Sequence, residues 1–151
     1  MSAARAGAIV LRILLGGLFI YASQSKILDP AGFSRTVYHY KLLPVGAVNL
    51  VAITLPWVEL LTGVLLVTGI RVRGAALVAA LSLAGFLIGL TSAFARGLNI
   101  ACGCFSATGG RVNLEHILGD IALLAVAAFI YRVAASVPAA ALPATQLKEK
   151  S

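Results

Sequence analysis

Residues 45–69, VGAVNLVAITLPWVELLTGVLLVTG, decide the fold. The 25 residues carry one charge, Glu59, and they end on a glycine that can close a helix. At about 1.5 Å per residue such a helix is longer than the roughly 30 Å hydrocarbon core of a bilayer. Outward in both directions lie three further apolar runs, at 6–23, 74–95 and 114–137. All four are rich in Leu, Val, Ala and Gly and show no alternation of polar and apolar residues, so a transmembrane barrel is excluded.

Composition agrees. The chain has 151 residues, 60% hydrophobic and 11% charged, with a mean hydropathy of +1.00. A soluble domain needs about 25% charged residues to cover its core, and disorder needs still more polarity. The sequence therefore predicts an all-α integral membrane protein: a four-transmembrane-helix bundle forming a single domain over 5–137, with 138–151 as a disordered Ala/Pro-rich tail. Gly16, Gly17, Gly63, Gly85 and Gly89 are expected to let helices approach closely, since in lipid association rests on packing. Arg12 interrupts the first run, which reads as a retained span and not as a signal peptide. Between the first two spans, Asp29-Pro30 opens a short amphipathic segment, with the carboxylate as cap and Pro at the first helical position.

The net charge of +7 comes from Lys and Arg scattered between apolar runs, which argues against nucleic acid. With four spans, seven basic residues fall on the side of the termini and five on the other, which predicts cytoplasmic termini. The loop after the third span then lies outside, in periplasmic or extracellular space. That loop holds both cysteines, Cys102 and Cys104, separated by Gly103. Bridging them closes a very small ring, whose strain makes the disulfide a better oxidant than a relaxed structural bridge. Two inert thiols at a helix end are the alternative from spacing alone. No metal site is expected, because only His116 is near in sequence.

Asn113 reads as the N-cap of the fourth span, with His116 and Asp120 at i and i+4 on one face. That face could orient an imidazole toward an attacking thiol, or supply only interface polarity. Asp120 falls inside the apolar run, where an unpaired carboxylate is costly. Arg12 and Glu59 are costly there too and are expected to pair within the bundle, either fixing register or forming a proton or quinone site. Trp57, beside Pro56, either lines an internal cavity or faces lipid.

The combination of Arg12, Gly16-Gly17-Leu18-Phe19, Lys26-Ile27-Leu28-Asp29-Pro30, Phe33, Leu55-Pro56-Trp57-Val58-Glu59 and Arg96-Gly97 with Cys102-Gly103-Cys104-Phe105 resembles the MauE family of the MauE/DoxX membrane proteins. The likeness runs over about residues 5–135, with Ser106 and Gly119 departing from the family pattern. It implies a four-helix, redox-associated inner-membrane protein that supports maturation of a periplasmic enzyme of the methylamine dehydrogenase type. By the same resemblance Cys102 and Cys104 are the redox pair, and Arg12, Lys26, Glu59 and Asp120 occupy the family's polar positions. The function expected is that of a thiol–disulfide oxidoreductase or redox maturation factor. Cys102 and Cys104 are its catalytic pair, assisted by His116 and Asp120, and Arg12, Lys26, Trp57 and Glu59 are candidates for a quinone site. Its partners would be the lipid bilayer and a thioredoxin-like protein or disulfide-containing redox enzyme of the periplasm. A non-catalytic assembly factor that docks a soluble redox partner is the alternative, and a small transporter using Arg12 and Glu59 is a third.

Overall fold

The computed structural model describes residues 3–98 and 113–136. Among them the chain forms five helices: α1 (Ala3–Leu28), α2 (Pro30–His39), α3 (Val45–Thr68), α4 (Val72–Ala95) and α5 (Leu114–Ala135). All but α2 are long and apolar enough to cross a membrane. The segment with Cys102 and Cys104, and the tail expected at 138–151, lie outside the described residues.

Sequence spacing shows why these helices associate. Along α1 the buried positions Ala8, Leu15, Phe19, Ala22 and Lys26 recur every three, four or seven residues, forming one stripe. On α3 the stripe is Val48, Ala52, Pro56, Glu59, Gly63 and Leu66. The two stripes face each other, and α4 packs likewise on α5. Leu15, Phe19 and Leu66 meet Ala76, Ala79, Ala127 and Ile130 in the principal core, where small alanines admit close helix approach. The opposite faces expose Leu14, Leu50, Ile53, Leu81 and Ile88. In water that surface would favour aggregation; in a bilayer it is the face that lipid covers.

Two glycines set the α1–α3 distance. A Cβ on Gly16 would lie 2.8 Å from the Gly63 carbonyl oxygen, and one on Gly63 would lie 2.7 Å from that of Gly16. The close approach expected of five glycines is thus made at this pair. Gly89 faces the Tyr40 ring at ordinary contact distance, while Gly17 and Gly85 have open space where a Cβ would go.

The ends follow their sequence signals. Asp29 caps α2 by accepting from the Gly32 N–H at 2.8 Å, with Pro30 following it. Asn113 caps α5 by accepting from the His116 N–H at 3.1 Å. Gly69 closes α3 with φ of 80°, a left-handed geometry that glycine adopts without strain. One boundary differs from expectation. Instead of ending near Ser23, α1 continues through Gln24-Ser25-Lys26 to Leu28, because Ser23 and Lys26 fall on its buried stripe and point inward.

Candidate functional site: a buried ion pair beside an apolar cleft

The last turn of α1 carries Lys26 into the bundle, where it is 0% exposed, and Glu59 of α3 is 3% exposed. The Lys26 ammonium donates to both Oε1 and Oε2 of Glu59 at 2.8 Å. Geometry favours this reach. Helical side chains lean toward their own N-terminus, so in antiparallel α1 and α3 the two side chains lean toward each other. At membrane depth either charge alone would be costly, and the bidentate contact offsets much of that desolvation. Two aromatic rings complete the enclosure: Nζ lies 5.3 Å from the centroid of Phe33 on α2 and 4.8 Å from that of Phe86 on α4. The negative ring faces attract the cation.

This geometry corrects the expected Arg12–Glu59 pair. With Gly16 opposite Gly63 in antiparallel register, Arg12 lies beside the far end of α3, away from Glu59. Its guanidinium packs against Gly69, where a Cβ would come within 2.8 Å of Nη1. There the cation faces the C-terminal end of a helix, a favourable place for positive charge. Its Nε is buried without a hydrogen-bond partner among the described residues. Trp57 also stands apart from the pair: it is 58% exposed on the outer surface of α3. Of the four residues grouped as one polar cluster, the structure brings together Lys26 and Glu59.

His116 and Asp120 do not form a hydrogen-bonded dyad. The His116 ring is turned back on its own cap, with Nδ1 2.6 Å from the Asn113 side-chain oxygen. Asp120 is buried on α5, and its Oδ2 has no hydrogen-bond partner among the described residues.

Phe33 and Phe86 also line a cavity of about 570 Å³ between α2, α3 and α4. Its walls are almost wholly apolar, with Leu55 from α3 and Leu81 from α4. The end of α2 is tied across it: Arg96 donates to the Tyr40 carbonyl oxygen, and the Tyr40 ring lies on Gly89. A second hollow of about 440 Å³ lies against another face of α2, lined by Ser34, Arg35 and Asn49. The two rings were not recognised from sequence as site residues. The available signal for Phe33 was its place on the buried face of α2, which it shares with Thr36.

These features define a multi-pass, all-helical membrane protein with a charge pair sealed inside its bundle. The chain belongs to the family described as Methylamine utilisation protein MauE, whose model matches residues 4–133. It is 37% identical over 133 residues to the methylamine utilization protein MauE of Paracoccus denitrificans, covering 86% of this chain and 69% of that protein. No solved structure matches it.

Proposed function

We propose that the protein is a membrane thiol–disulfide oxidoreductase, or redox maturation factor, acting through Cys102 and Cys104 in support of methylamine utilisation. The observation that carries this reading is the Cys102-Gly103-Cys104 sequence lying within the matched span of a family named for that process. Strain in so small a ring makes the disulfide open to attack by a substrate thiolate, through a mixed disulfide that the freed cysteine resolves. The substrate would be a periplasmic protein that acquires disulfides, such as an amine dehydrogenase subunit or a thioredoxin-like carrier. Both termini then face the cytoplasm of a bacterial inner membrane and the cysteine loop faces the oxidising side.

Each turnover leaves two thiols on this protein, and their reoxidation releases two electrons and two protons. A membrane quinone would supply the oxidant, taking up both to become quinol. Asp120, buried on α5 with its Oδ2 lacking a hydrogen-bond partner among the described residues, is a candidate proton acceptor. His116, held by Asn113, is the candidate that orients the attacking thiol. The Lys26–Glu59 pair holds the end of α1 against α3 beneath the outer face.

Replacement of both cysteines by serine tests the reading. Maturation of the dependent periplasmic enzyme should be lost while the variant accumulates normally in the membrane. Full maturation with the double variant would replace catalysis by a non-catalytic assembly role.

A further inference from the structure

We propose that the cleft between α2, α3 and α4 is the binding site of an isoprenoid quinone, with the ring beside Phe86 and Ser82 and the tail leaving toward lipid. The proposal rests on the quinone-linked reading above and deepens it by locating the site.

Size is the first argument. A cavity of about 570 Å³ lies within the usual range of about 300–1,000 Å³ for small-molecule sites, which are mostly apolar with a few placed polar groups. Surroundings are the second. The cleft reaches the exposed apolar residues Leu81 and Ile88 of α4, both on the surface that lipid covers, so an occupant enters from the membrane. The third is the chemistry of its wall. Ser82 sits midway along α4, half-buried in the cleft lining. Thr54, Thr68 and Thr91 turn their hydroxyls back onto carbonyls of their own helices, whereas Ser82 makes no such bond among the described residues. An unsatisfied hydroxyl at membrane depth is unfavourable, and a ring carbonyl would accept from it. Phe86, partly exposed in the cleft lining, offers an aromatic surface to a flat ring.

Gly85 provides the probe. It lines the cleft and has open space where a Cβ would go, so Gly85→Leu fills the cleft without touching the ion pair. The experiment uses the full chain in nanodiscs and measures binding of ubiquinone-1 and menadione, with phosphatidylglycerol as competitor. The expected result is saturable quinone binding weakened about tenfold or more by Gly85→Leu and several-fold by Ser82→Ala, a loss that filling a small apolar site readily produces. Helical content and thermal midpoint of both variants should match the parent. Unchanged binding in Gly85→Leu, or equal displacement by phospholipid, would overturn the proposal and mark the cleft as a lipid groove. Failure here is separable from failure of the thiol reading. If quinone binds as described while the double Cys→Ser variant still supports maturation, the site stands and the thiol reading falls. If the cysteines cycle while binding ignores Gly85→Leu, the reverse holds.

Discussion

At the scale of single residues, the decisive contact is Lys26 with Glu59. Removing one partner of such a buried pair leaves an uncompensated charge and typically costs about 3–5 kcal/mol, whereas replacing both by apolar residues can be nearly neutral. Lys26→Met and Glu59→Leu should each lower the thermal midpoint in detergent, and the double variant should recover most of the loss. Arg12→Met supplies the contrast. Because Arg12 lies at Gly69, its effect should add to that of Glu59→Leu within about 0.5 kcal/mol, as expected of distant sites. Coupling between Arg12 and Glu59 as strong as that between Lys26 and Glu59 would contradict this geometry. The sequence showed that Glu59 must find a cation, since it is the sole charge of its run. It did not show which one, for a physical reason: Gln24-Ser25-Lys26 is polar and reads as a loop, although Lys26 continues the stripe of Leu15, Phe19 and Ala22. Antiparallel register then excludes Arg12, because residues near the start of α1 face the end of α3.

At the scale of elements, α1 and α3 are held together by backbone contact at Gly16 and Gly63. Any side chain there meets a carbonyl oxygen of the facing helix, which cannot move without parting the helices. Gly16→Val and Gly63→Val should each destabilise the bundle by about 1–3 kcal/mol, the usual cost of overpacking. Gly17→Ala should be tolerated, since open space surrounds it. Thermal unfolding in a single detergent compares them directly, and equal effects at Gly16 and Gly17 would refute the packing. These elements were largely legible in advance. Run lengths marked four spans, while Asp29-Pro30 and Asn113 marked two helix starts through the chemistry of capping. Which glycines make the close approach was not legible, because α1 carries Gly16 and Gly17 side by side and only the direction of the stripe separates them.

At the scale of the whole molecule, the proposed thiol–disulfide role requires the cysteine loop to face an oxidising compartment. The excess of Lys and Arg on the side of the termini predicts that arrangement. A variant retaining only Cys104 should react with a membrane-impermeant maleimide in intact cells. Labelling only after lysis, with a thiol reactive in the opened membranes, would invert the topology. The cleft, by contrast, could not be read from sequence, since it arises where α2 packs on α3 and leaves a gap toward α4, which no periodicity records. The most direct test of the redox role is an equilibrium titration of Cys102 and Cys104 against glutathione in native membranes, read by thiol alkylation. The account predicts a reversible two-electron couple well above the roughly −300 mV below which stable structural disulfides lie. A pair that never forms a disulfide, or one that stays oxidised below that potential, would contradict it.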